Sequence, residues 1–130
     1  ASLFDQIIVA VGVNSTKKSR FSNENRVEML EAVFADLPSV KVQSFSGLTA
    51  DFCKEVEAEW LLRGVRNSSD FGYECTIAQM TKKLSPNLET IVLFTKEEYS
   101  SISSTLVREI IAQGGDVCAF VPNAALEFIK

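Results

Sequence analysis

The chain predicts an α/β fold, a parallel sheet with helices on both faces. Three observations carry this. Short apolar, β-rich runs alternate with runs of helical period along the whole of the 130 residues. The strand candidates are almost continuously apolar, as parallel strands covered on both faces are. The connections are short, which for strand–helix–strand units means right-handed crossovers in one sheet.

Residues 6–13, QIIVAVGV, read as the first strand. Residues 22–36 read as a helix: Ser22 is an N-cap, Glu24 suits the positive first turn, and Val27, Leu30 and Phe34 recur at helical spacing. Residues 40–45, VKVQSF, are a second strand, and 49–58 a helix with Phe52 and Val56 on one face. A short strand over 59–65 ends in a glycine turn, and a helix follows from about Asp70 to Leu84, closed by Pro86. Residues 89–95, ETIVLFT, are the fourth strand. The next helix opens in ISSTLVRE, pairs Leu106 with Ile110 and Val107 with Ile111, and stops at Gly114-Gly115. DVCAFVP is expected to be extended, and Asn123 to cap a last helix with Glu127 about one turn in.

Composition narrows the function. An apolar share of 46% supports a core, and 23% charged residues is ordinary for a soluble protein. A net charge of −4 and a pI near 4.9 argue against nucleic acid as partner. The absence of histidine excludes a His-based triad or a His-ligated metal from these residues. The three cysteines, Cys53, Cys75 and Cys118, fit neither zinc spacing nor a disulfide framework, so reduced thiols and a cytosolic setting are expected. There is no GxGxxG, no P-loop, no nucleophile elbow, no secretory signal and no apolar run long enough to span a bilayer.

In parallel sheets ligands bind beyond the carboxyl ends of the strands. Lys17, Lys18 and Arg20 follow the first strand, and Ser46-Gly47-Leu48-Thr49 the second. Arg63-Gly64-Val65-Arg66 follows the third, and KEEYSSISSTLVRE the fourth. Each piece has an ordinary reading: a solvated basic loop, a capping serine, an arginine over a turn, a surface carboxylate at Glu74, a rim aromatic at Tyr99 or Phe71. Their coincidence at one edge favours a phosphate-ligand site, with the hydroxyl-rich helix start as cradle.

Taken as blocks, LFDQIIVAVGVNSTKKSRFS, LRGVRNSSDFGYE and ISSTLVREI resemble successive motifs of the phosphopantetheine adenylyltransferases, a bacterial-type branch of the nucleotidyltransferase superfamily. The likeness runs from Ala1 to near Phe128. It implies a Rossmann-like, nucleotidyltransferase-type sheet. It also implies transfer of the adenylyl group of ATP to 4′-phosphopantetheine, giving dephospho-coenzyme A and pyrophosphate with Mg²⁺. By position, it implies Lys17, Thr49 and Arg63 at phosphopantetheine. It implies Gly64, Val65, Arg66, Glu74, Tyr99, Ser100, Ser101, Ile102, Ser103, Ser104 and Thr105 at ATP, with Lys17, Arg66 and Ser104 at the reacting phosphates. No protein metal site is implied. Thr49 stands where relatives often carry an apolar residue, Tyr99 where they often have Trp, and Thr105 where they often have Ser.

The same likeness implies a single domain over 1–130 that lacks its first strand and helix, with the [TH]-x-G-H motif, and the end of its last helix. The natural protein is then expected to be longer by roughly 20 residues at ordinary helix and strand rises. The alternatives are a His-less nucleotide-binding module, a strand swapped in from another copy, or a sister nucleotidyltransferase with another phosphate acceptor. A cytoplasmic homohexamer, with dephospho-coenzyme A or coenzyme A as product or inhibitor, is also implied.

Overall fold

The computed structural model describes residues 3–13 and 19–129. Its elements run β1 (Ile7–Gly12), α1 (Asn23–Val33), β2 (Val40–Phe45), α2 (Thr49–Glu55), β3 (Trp60–Val65), α3 (Ser68–Leu84), β4 (Glu89–Phe94), a 3-10 turn (Glu97–Tyr99), α4 (Ser104–Ala112) and α5 (Asn123–Leu126). The parallel α/β class is borne out. The chain forms two compact units, Ala1–Ser46 with Ser104–Lys130, and Gly47–Ser103.

In the first unit β1 and β2 pair in parallel, in register from Ile7↔Val40 to Gly12↔Phe45. α1 makes the crossover and packs on both strands and on α5. Its start follows the sequence: the Ser22 hydroxyl accepts the Asn25 N–H at 3.1 Å. α4 stops at a glycine pair as expected. Gly114 takes the left-handed φ of 73°, and the Gly115 N–H reaches back to the Ile110 carbonyl at 2.8 Å.

Two expectations fail here. DVCAFVP is a turn, because the Asp116 carboxylate accepts the Cys118 N–H at 2.9 Å and the Phe120 N–H bonds the Val117 carbonyl at 2.9 Å. Asn123 does not cap α5. Pro122 occupies that place, and its carbonyl takes the Ala125 N–H at 2.9 Å.

The second unit pairs β3 with β4 in parallel, from Trp60↔Glu89 to Val65↔Phe94. Among the described residues the ladders are thus two-stranded, β1 with β2 and β3 with β4, rather than one continuous sheet. Coverage of both strand faces is also narrower than expected. Val65 is buried, whereas Trp60, Leu62, Leu93 and Phe94 are exposed. β3 alternates, with Leu61, Arg63 and Val65 on its better covered face, while β4 does not, since the successive Leu93 and Phe94 are both exposed; α3 packs on both strands.

α2 ends three residues earlier than expected. Glu57 takes a left-handed φ of 54°, and the Ala58 N–H closes onto the Cys53 carbonyl at 2.8 Å. α3 starts two residues earlier than expected, because the Asn67 side chain accepts the Asp70 N–H at 2.9 Å and caps the helix. At its far end the Lys54 ammonium donates to the Leu84 carbonyl at 3.2 Å.

Candidate active site

The carboxyl end of β3 and the first turns of α3 build the best-defined polar cluster among the described residues. Strand alternation puts Leu61, Arg63 and Val65 on one face and Trp60, Leu62 and Gly64 on the other. Val65 is 1% exposed and anchors the strand in the core, and its carbonyl accepts the Thr95 N–H at 2.9 Å. It offers a ligand no side chain. Arg63, on the same face, extends to α3 and meets Glu74 side-on: Nε to Oε2 at 2.7 Å and Nη2 to Oε1 at 2.7 Å. Two parallel charge-assisted bonds fix the guanidinium plane as well as its place. Their hydrogen bonding raises the Arg63 pKa, with partial burial acting against it. Glu74 is 9% exposed, so the surface-carboxylate reading is corrected. A carboxylate at that depth needs the cation it has found.

Arg66 repeats the theme one turn earlier on α3. Its Nε donates to Asp70 Oδ2 at 2.9 Å, and its own backbone N–H reaches the same oxygen at 3.3 Å. Its Nη1 donates to the Ile102 carbonyl at 3.1 Å. Arg66 therefore ties the start of α3 to the segment that follows β4. The hydrogen bond from Arg66 holds the Asp70 carboxyl below its ordinary value. Asp70 and Glu74 stand four apart on one helix, so both face the same way.

Between the two arginines, Gly64 is required by nothing among the described residues. Its φ is not left-handed, and a Cβ placed there would meet no atom of them within 4 Å. A glycine in a strand with open space over it marks a place where something else approaches the backbone closely.

The hydroxyl-rich segment begins in the 3-10 turn. The Ser100 hydroxyl donates to the Glu97 carbonyl at 2.7 Å, and the Ile102 N–H bonds the Tyr99 carbonyl at 3.1 Å. Tyr99 is half exposed, and Ser101 is exposed. In the first unit, Ser104 opens α4 and is exposed, and the Thr105 hydroxyl accepts from Arg108 Nη2 at 3.1 Å. Thr49 is the first residue of α2 and is half-buried. Lys17 lies outside the described residues.

A family model described as cytidylyltransferase-like matches residues 1–110. A phosphopantetheine adenylyltransferase from Lachnoclostridium phytofermentans is 44% identical over 129 residues, covering 99% of this chain and 79% of its own. Those from Phocaeicola vulgatus and Flavobacterium psychrophilum are 47% and 48% identical, each over 94% of this chain and 80% of its own. The chain belongs to the phosphopantetheine adenylyltransferase family.

As a member of that family, the chain brings together Arg63, Arg66, Glu74 and Ile102 of the expected site residues, with Gly64 open between the arginines. Asp70 is the residue that sequence reasoning missed. Its signal was present, a carboxylate one turn before Glu74, in the first turn after an arginine-bearing strand end. The Ile102 carbonyl had no such signal, because a backbone oxygen looks the same in every residue. Among the described residues no group of His, Cys, Asp or Glu could hold a metal, and no helix is long and apolar enough to cross a membrane.

Proposed function

We propose that the protein transfers the adenylyl group of ATP to 4′-phosphopantetheine. A phosphate oxygen of the acceptor attacks the α-phosphorus, the bond to the β-phosphate bridging oxygen breaks, and dephospho-coenzyme A and pyrophosphate leave. The enzyme needs no nucleophile of its own. Its work is to align two anions that repel each other and to neutralise the charge that develops between them.

The single observation that carries this reading is the end of β3. Two arginines are held in fixed planes on either side of a glycine over which the described residues leave open space. Arg63 serves the acceptor phosphate. Gly64 to Arg66 and the segment from Tyr99 to Thr105 serve ATP, with Arg66 and Ser104 at the reacting phosphates. Thr49 sits toward pantetheine, and Lys17 holds the attacking phosphate beside the α-phosphate. Mg²⁺ comes with ATP as its phosphate-bound counter-ion, which suits a chain whose described residues offer no acidic cluster for it. A cytoplasmic homohexamer answering to coenzyme A rests on the resemblance alone.

The test is pyrophosphate release by the full-length protein, dependent on both ATP and phosphopantetheine. Folded protein that releases none would sink the reading. Within it, Lys17→Ala is expected to cut turnover far more than it weakens ATP binding, and equal losses would place Lys17 outside the transition state.

A further inference from the structure

One carboxylate fixes both the main chain and the side chain of Arg66. Asp70 Oδ2 accepts the main-chain N–H of Arg66 at 3.3 Å and its Nε at 2.9 Å. Asp70 Oδ1 takes Nη2 at 3.4 Å. A single side chain therefore sets where the strand ends and how its arginine leaves it. A guanidinium is a rigid plane, so fixing one edge aims the others. What Nη1 then meets is the Ile102 carbonyl, at 3.1 Å. That bond crosses 36 residues of sequence, from the end of β3 to the segment after β4.

Several bonds of that segment are local. Tyr99, Ser100 and Ile102 each donate their N–H to a carbonyl three residues back, at 3.0 to 3.1 Å. Such bonds set the shape of a turn but not its place relative to α3. The bond from Arg66 does set that place. Asp70 is not spent on closing the helix, because Asn67 caps α3 and accepts the Asp70 N–H at 2.9 Å. The pair is also open to water, with 36% of the Arg66 side chain and 29% of the Asp70 side chain exposed. An exposed pair contributes little to stability, so its consequence lies in what it places.

We infer that Asp70 is a positioning residue for ATP: acting through Arg66, it holds the segment Tyr99–Ser103 against the start of α3 and presets the nucleotide side of the site. This rests on the reading of that segment as the ATP loop. An arginine and a loop ordered before ATP arrives lose less rotamer and backbone freedom when it binds.

The experiment uses the full-length protein and Asp70→Asn, which keeps the shape of the side chain but cannot accept both N–H groups of the guanidinium edge. The kcat/KM for ATP is expected to fall about tenfold. Amide hydrogen exchange in the ATP-free protein is expected to quicken about tenfold at Tyr99, Ser100 and Ile102 and to stay within about twofold in the β3–β4 ladder, whereas simple loss of stability would quicken both. On an Arg66→Lys background, which keeps the charge and loses the plane, Asp70→Asn should add less than about twofold to either reading. An unchanged kcat/KM for ATP, unchanged exchange at those three amides, equal quickening in the ladder, or full additivity with Arg66→Lys would overturn the assignment. If Asp70→Asn does not fold, Asp70→Glu keeps the charge, displaces the carboxylate by one methylene and is read in the same way. If wild-type protein releases no pyrophosphate, the reading of the reaction falls, and calorimetric ATP binding replaces kcat/KM. Weaker binding together with the local quickening then upholds the inference, and any other pattern, including no binding, overturns it.

Discussion

Arg63 and Arg66 stand three residues apart, and each is held side-on by a carboxylate of α3, yet the two pairs live in different surroundings. Glu74 keeps 11% of its side chain exposed and Asp70 keeps 29%. The Arg63 pair joins strand to helix through a buried carboxylate, while its arginine stays 40% exposed, about as open as Arg66 at 36%. The Arg66 pair is solvated, and its arginine also reaches the Ile102 carbonyl. The lesson is that one contact geometry carries two kinds of consequence. A pair with a buried carboxylate is a constraint, because its breaking leaves that carboxylate orphaned. An exposed pair contributes little to stability and can be tuned for the ligand.

The largest expected effect breaks the Arg63 pair. Arg63→Ala should lower kcat/KM for phosphopantetheine by about a hundredfold or more. It should also destabilise the fold by about 2 kcal/mol, since buried Glu74 loses both of its bonds. Arg66→Ala should impair ATP use while leaving the urea melt close to wild type. Equal melts for the two variants would erase the distinction. Next comes the glycine between them. Gly64→Ala has room for its methyl and loses backbone freedom in the unfolded chain, so stability should hold or rise by about 0.5 kcal/mol. ATP affinity should fall about tenfold, read by calorimetry. Unchanged affinity would mean that the open space is not used.

A smaller effect separates the pairs by pH. The Asp70 pKa lies below its ordinary 3.8. A depressed folded pKa stabilises above the unfolded value, and that contribution is lost as pH falls through the folded one. A carboxyl-carbon NMR titration should place the Asp70 midpoint below 3.8, and Asp70→Asn should flatten the acid limb of the stability curve. A midpoint at or above the ordinary value would mean that the solvated pair is not formed. The smallest effect lies away from both arginines, at Glu57 with its φ of 54°. Glu57→Gly should stabilise by about 0.5–1 kcal/mol at no cost to turnover, marking strain that serves no ligand.

Strand positions were legible because parallel strands here are runs of Ile, Val and Leu bounded by turns. β2 has the predicted bounds, β1 is a residue shorter at each end, β3 starts a residue later and β4 stops a residue earlier. Helix ends were legible where a side chain or a glycine decided them, as at Ser22 and Gly114. They failed where the decisive group was less visible: Asn67 starting α3 early, Glu57 stopping α2 in a left-handed turn, Pro122 displacing Asn123. Of the candidate site, residue types at strand ends were legible, because phosphate recognition needs Arg, Lys, Gly and hydroxyls there. Partnership was not. Nothing local in RGVR says that its first arginine takes the seventh residue of the next helix and its second takes the third. That depends on how strand and helix cross, which is a tertiary fact.

The central claim is the reaction itself, and the most direct measurement follows both products at once. Full-length protein is incubated with ATP, Mg²⁺ and 4′-phosphopantetheine, with dephospho-coenzyme A read by mass spectrometry and pyrophosphate by a coupled assay. The account predicts equal amounts of the two, none without either substrate, and none when choline phosphate, glycerol phosphate or nicotinate mononucleotide replaces the acceptor. Folded protein that makes neither product, or that turns over one of those other acceptors faster, would contradict it.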